Sequence, residues 1–149
     1  MVDELEALYR TRLPQFRRVA AAIAGDRDAG RDAVQEAFAT AIRKRRTYQG
    51  SGPLEAWVWR IVVNAARDAR RRRRPEPVGE HEPSSNGNAP LLPLDLLTER
   101  QREIVFLHYY ADLDYATIAD ALAISSGTVG ATLTAARARL RRALQEVEP

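Results

Sequence analysis

Residues Tyr115 to Thr132 read Y-A-T-I-A-D-A-L-A-I-S-S-G-T-V-G-A-T, and the fold turns on how this stretch is parsed. Ile118, Ala119 and Leu122 fall on one stripe of a short helix. Val129, Leu133, Ala136, Leu140 and Leu144 fall on one stripe of a longer helix, at steps of three or four residues. Ala123-Ile124-Ser125 lies between them. A serine hydroxyl accepts an orphan amide at a helix start, so Ser125 is the expected N-cap of the second helix. A short helix, a three-residue turn and a longer capped helix make a helix-turn-helix. Small Ala119 sits where the two helices would cross closely. The same spacing fits an ordinary helical hairpin in a bundle, and the pattern alone does not separate the two.

On the N-terminal side of this stretch, Leu94, Leu96 and Leu97 open a helical module. Thr98 with Gln101 fits a capping box, in which each residue satisfies an amide of the other. Ile104, Val105, Leu107 and His108 then lie in one helix, with Tyr109 and Tyr110 near its end. Further upstream, residues 75–93 hold five prolines and three glutamates, no Arg or Lys, and little apolar content before Leu91. That composition predicts a flexible linker. The chain is therefore expected to be all-α: two small helical modules, 1–74 and 94–149, joined by the linker 75–93, with the helix-turn-helix in the second.

Three helices are expected in the first module. One runs from about Asp3 to Ala24, with Leu5, Leu8, Tyr9, Phe16, Val19, Ala20 and Ile23 on one face and a kink expected at Pro14. Gly25-Asp26-Arg27-Asp28 stops it and starts the next, from about Asp28 to Arg45. Val34, Ala37, Phe38, Ala41 and Ile42 make its buried stripe, and Asp32, Gln35, Glu36 and Ala39 lie largely on other faces. Thr47 to Pro53 reads as a loop, because Gly, Ser and Pro break both periodicities. The third helix runs from Leu54 to about Arg74. Leu54, Trp57, Val58, Ile61, Val62, Ala65 and Ala69 are its expected core face, with Trp59, Arg60, Val63, Asn64, Arg67 and Arg71 on the remaining surface. On this reading Trp57 is core, and Trp59 is the aromatic available to stack on a base.

The overall charge of +3 conceals an asymmetry. Residues 1–74 carry 17 Arg/Lys against 9 Asp/Glu, a net of +8, whereas residues 94–149 carry a net of −2. A basic block ending in five consecutive arginines, Arg70 to Arg74, calls for a phosphate-rich partner, since guanidinium forks match phosphate oxygens. The absence of cysteine excludes disulfides, thiol catalysis and Cys-based zinc sites. With only His81 and His108, a histidine metal site is not expected either. There is no apolar run of roughly 18 residues, so no membrane span is expected, and the opening Val2-Asp3-Glu4-Leu5 lacks the basic and apolar pattern of a signal peptide.

Three segments together carry a family resemblance: D-A-V-Q-E-A-F-A-T-A (32–41), L-E-A-W-V-W-R-I-V-V-N-A-A-R-D (54–68), and L-T-E-R-Q-R-E-I-V-F-L-H-Y-Y with the helix-turn-helix (97–132). Joined in this order, they resemble bacterial RNA polymerase sigma factors of the extracytoplasmic-function (ECF) type. The resemblance implies a cytoplasmic protein that binds core RNA polymerase and promoter DNA, answers to an anti-sigma factor, and has no cofactor, no metal and no catalytic activity of its own. By position, it assigns Asp32, Gln35, Glu36 and Ala39 to the polymerase. Arg46, Thr47, Tyr48 and Gln49 fall in the loop that pockets a flipped −10 base. Arg60, Asn64, Arg67 and Arg71 would follow the opened strand. Ser125, Ser126, Thr128, Gly130, Ala131, Thr132, Thr134 and Arg137 would face the −35 element. The acidic linker would thread toward the RNA exit path and imitate RNA.

The second module departs from the family pattern. Ala123 stands where glycine is usual, although a left-handed backbone suits glycine better. Positions 130–135 read Gly-Ala-Thr-Leu-Thr-Ala without a charge where basic residues are usual, so −35 readout would rest on short hydroxyls. Two other classes remain open at this stage. A stand-alone helix-turn-helix regulator would act without polymerase. A nuclease would need clustered carboxylates for metal ions, and Asp26, Asp28 and Asp32 are the nearest candidates.

Overall fold

The computed structural model describes residues 1–50, 52–73 and 96–147. The linker 75–93, Arg74 and Leu94 lie outside the described residues. Within them the regular elements are all helical: α1 (Val2–Ala24), α2 (Arg27–Arg43), a 3₁₀ turn (Arg45–Thr47), α3 (Leu54–Arg73), α4 (Glu99–Tyr109), α5 (Tyr115–Leu122) and α6 (Ser126–Val147).

Local chemistry sets the boundaries. α1 runs unbroken through Pro14 and ends at Gly25, whose φ of 82° is the left-handed value that lets its amide close on Ala21 O. The Asp26 carboxylate accepts from the Ala29 amide at 2.9 Å and caps α2. Thr98 and Gln101 form the expected capping box on α4, at 3.1 and 3.0 Å. Asp114 caps α5 through the Thr117 amide, and its hydrogen bonds to Thr117 hold its carboxyl below the usual carboxylate range. Ser125 caps α6 as expected, accepting from the Thr128 amide at 3.1 Å. Ala123 adopts φ 58° and ψ 45°, so the left-handed turn forms without glycine. The Ile124 amide reaches back to Ala119 O at 3.0 Å and closes the turn.

In the first module α1, α2 and α3 pack around Phe16, which meets Phe38 edge-on at 5.2 Å and Trp59 at 4.3 Å. α1 and α2 approach so closely at Gly30 that a Cβ there would lie 2.5 Å from the Ala21 backbone nitrogen. Only glycine fits. α3 is rotated from the expected face. Ala56, Val58, Trp59, Val62, Val63, Ala66 and Ala69 are buried, whereas Leu54, Trp57, Ile61 and Ala65 are only partly so. The two tryptophans therefore exchange roles: Trp59 is fully buried and Trp57 is half-exposed. The apolar arc of α3 is wide enough for either face, and the Phe16 ring selects Trp59.

In the second module Ile104, Leu107, Ile118, Val129, Leu133 and Ala136 form the buried seam. Leu144 is exposed instead of continuing it, because α6 outruns the shorter α4 against which it packs, and Ala143 takes the inward position. The modules are not independent. α4 packs on α1 and α5 on α3, so the apolar cluster passes from one module to the other.

Candidate nucleic-acid interface

Beyond α2, the chain turns through the 3₁₀ segment into a polar loop. The Thr47 hydroxyl donates to Lys44 O at 2.7 Å, Arg45 donates to Ile42 O at 2.7 Å, and the Tyr48 hydroxyl bonds to Gly52 O. These bonds tie the loop back on itself and leave a cleft of about 240 Å³ lined by Thr47, Tyr48, Gln49, Trp57 and Arg60, with Asp120 of α5 at its edge. The Tyr48 and Trp57 rings lie 5.5 Å apart. Two aromatic faces beside polar groups suit a planar base taken out of its stack. Arg46, Thr47 and Gln49 are exposed around it.

Arg60, Asn64, Arg67 and Arg71 follow the cleft along one face of α3. Arg60, Asn64 and Arg71 are exposed and Arg67 is half-buried. Arg60 Nε and Nη2 donate to Ala121 O at 3.3 Å and Asp120 O at 2.5 Å. Arg67 forms a two-pronged pair with Glu103 of α4, each bond 2.5 Å. Glu103 is 2% exposed, the one fully buried charged residue among the described residues. A buried carboxylate requires such a fork, and the Glu103 bond raises the Arg67 pKa above its ordinary value. Arg12 adds a third tie between modules, donating to Glu55 and to Ala111 O at 2.9 and 3.0 Å.

The arginine run does more than meet solvent. Arg72 pairs with Glu36 of α2 at 3.6 Å and Arg73 donates to Ala24 O at 3.0 Å, while exposed Arg71 reaches Asp68 at 3.7 Å. Asp32, Gln35, Glu36 and Ala39 share the exposed outer face of α2. Asp26 is committed to its cap, and no group of three or more His, Asp or Glu that could hold a metal ion occurs among the described residues.

On α6, Ser126, Thr128, Ala131 and Thr134 are exposed, Gly130 and Thr132 half-buried. The Thr128 hydroxyl is 2.8 Å from Ser125 Oγ and Thr134 donates to Gly130 O at 3.0 Å, so part of this short hydroxyl supply is used locally. The Tyr115 ring lies over Gly130, where a Cβ would stand 3.4 Å from it. Exposed Arg137 is held by the Tyr109 hydroxyl at 2.9 Å and lies 5.8 Å from the centre of that ring. This bond raises the Arg137 pKa.

Arg12, Glu103, Asp120 and Tyr109 were not legible as site residues. Glu103 alone left a signal, as an acid directly before the apolar run Ile104 to Leu107.

Residues 8–76 match the family described as Sigma-70 region 2, and residues 94–140 match Sigma-70, region 4. The chain is 30% identical over 154 residues to an RNA polymerase sigma-E factor of Streptomyces coelicolor, covering 96% of this chain and 87% of that one. It is 27% identical to the sigma-E factor of Streptomyces antibioticus, covering 97% and 86%. Its fold is similar to that of the sigma factor RpoE solved with the anti-sigma factor NepR from Bartonella quintana, with a TM-score of 0.72, 22% identity and 99% of both chains covered. It is also similar to CnrH solved with the cytosolic domain of CnrY, with a TM-score of 0.77, 22% identity, and 99% and 92% of the chains covered.

Proposed function

The chain belongs to the sigma-70 family of RNA polymerase sigma factors, as a member of the ECF type, and from that premise we propose how its surfaces divide the work. It binds core RNA polymerase and directs it to promoters, the first module serving the −10 element and the second the −35 element. The modules are taken as 1–74 and 94–149, joined by 75–93. The observation that carries the residue-level reading is the cleft at Tyr48 and Trp57 continuing into the row Arg60, Asn64, Arg67 and Arg71. A flipped base would enter the cleft between the aromatic faces, with Arg46, Thr47 and Gln49 around it. The row would follow the strand backbone, because arginines spaced along one helix face match successive phosphates.

Asp32, Gln35, Glu36 and Ala39 present an acidic face that suits a basic partner surface, and we assign it to the polymerase. Ser125, Ser126, Thr128, Gly130, Ala131, Thr132, Thr134 and Arg137 are assigned to duplex DNA, with hydroxyls reading base edges and methyl groups. The reaction chemistry belongs to the polymerase, so this chain works by binding, and its site is cytoplasmic. No single helix among the described residues is long and apolar enough to cross a membrane. RpoE was solved in complex with an anti-sigma factor and CnrH with the cytosolic domain of CnrY, and an anti-sigma factor is the expected third partner. A stand-alone helix-turn-helix regulator is not favoured, since it leaves the matched residues 8–76 without a role.

Run-off transcription with core polymerase on a genomic library tests this reading. Addition of the chain is expected to create discrete start sites absent from core alone. The double charge reversal Asp32→Lys with Glu36→Lys tests the polymerase face. It should weaken core binding while helicity is kept, and binding equal to the parent's would refute the assignment.

A further inference from the structure

We propose that the cleft between α3 and the first turn of α4 is a binding site for a small phosphate polyanion, a diphosphate gripped by Arg71 from one side and by Arg100 from the other. The site is separate from the aromatic cleft at Tyr48 and Trp57 and needs no promoter contact.

The cleft encloses about 210 Å³ and is lined by Arg67 and Arg71 of α3 and by Glu99, Arg100 and Glu103 of α4. Three guanidiniums meet two carboxylates there, which leaves one net positive charge. The two acids are not equivalent. Glu103 is buried, and both of its oxygens are taken by the Arg67 fork at 2.5 Å. Glu99 is exposed, so water and salt screen its charge.

Arg67 is spent on Glu103, but the other two guanidiniums are not spent. Arg100 Nη1 stands 3.9 Å from Glu103 Oε1, beyond hydrogen-bonding distance, and this buried atom finds no protein acceptor. A buried donor left without an acceptor has lost its hydration for nothing in return. Arg71 reaches Asp68 at 3.7 Å, in an ion pair that is mostly exposed on both sides. Such a pair contributes little and is readily exchanged for a better partner.

The cleft has several times the roughly 30 Å³ that one water takes in the liquid, so a single bridging water does not fill it. A phosphate group supplies acceptor and charge together, and a guanidinium fork takes two of its oxygens at once. The first turn of α4 acts in the same direction, because the positive end of its dipole favours an anion. Arg71 and Arg100 approach from different helices. That arrangement calls for an anion with acceptors at both ends, which a diphosphate has. Bound there, it joins α3 to α4 beside the Arg67–Glu103 fork and stabilises the chain by mass action.

The probe is pyrophosphate, titrated into the full chain and followed by calorimetry, with the melting temperature as a second readout. One saturable site per chain is expected, with a melting temperature that rises with pyrophosphate concentration. Arg71→Ala with Arg100→Ala should weaken binding by about tenfold or more, since both forks are lost. Arg67 is left in place, because its removal would strand the buried Glu103. Arg100→Lys keeps the charge without the fork and should cost about threefold. Glu99→Gln should tighten binding by about threefold, a gain that misfolding cannot imitate. Arg17→Ala with Arg18→Ala removes two arginines of α1 that do not line the cleft, and should bind as the parent does. Equal weakening by the two double variants would make the binding a property of the general basic field and overturn the site. Absence of saturable binding by the parent would overturn it as well. ADP in place of pyrophosphate separates the two sources of the group. Tighter binding supports the tail of a nucleotide as the ligand, and equal or weaker binding supports the free diphosphate.

Discussion

The sides of α3 and α6 that we assign to DNA differ in opposite ways. α3 is rich in guanidinium groups, yet two of the three in its row, Arg60 and Arg67, are bonded to the other module. α6 is open to solvent along Ser126, Thr128, Ala131 and Thr134, yet it has no basic residue before Arg137. One surface has charge without full access, and the other has access without charge. Formal charge therefore does not rank the two surfaces by what a strand or a duplex meets first.

The largest expected effect tests the charged side. Replacing Arg60 and Arg71 with alanine should flatten the dependence of promoter affinity on salt by about two units of slope, one for each lost phosphate contact. Filter binding over a salt series measures it, and an unchanged slope would make α3 a solvated helix. On the open side, Thr128→Ala with Thr132→Ala should reduce discrimination among single-base −35 variants by about 1 kcal/mol, the scale of a modest hydrogen bond. In vitro transcription from those variants reads this. A loss larger than that from −10 variants would invert the comparison.

A third change separates stability from reading. Ala123 holds a left-handed backbone that costs an alanine about 1 kcal/mol. Ala123→Gly should raise the melting temperature of the chain while leaving its −35 preferences as they were. A shift in preference would mean that the turn sets the pose of α6 on DNA. The smallest effect concerns Arg137. Tyr109→Phe keeps the ring but removes the hydroxyl that holds the guanidinium, and should weaken duplex binding by about 0.5 kcal/mol. No change would show that Arg137 finds its contact without Tyr109.

Much of the architecture was readable because its signals are local. Asp26, Thr98 with Gln101, and Ser125 each announce a helix start through a bond spanning three residues, and each bond is present. The face of α3 was misread because its apolar arc admits two rotations, and the choice between Trp57 and Trp59 is made by Phe16, 43 positions upstream. The cleft loop and the row from Arg60 to Arg71 were legible from family pattern and helical spacing. The ties from Arg12 to Ala111, Arg60 to Asp120 and Arg67 to Glu103 were not, since they join residues 36 to 99 positions apart with no periodicity to mark them.

The crossing at Gly30 has a mechanical consequence. Helices usually meet through a layer of side chains that can change rotamer under load. Here the backbone of α1 lies within contact of the α-carbon of residue 30 in α2, and no such layer exists at that point. Close-packed matter transmits strain with little compression. A partner pressing on Glu36 would therefore move α1 and α2 together, as one lever, and Arg72 would carry the push into the end of α3.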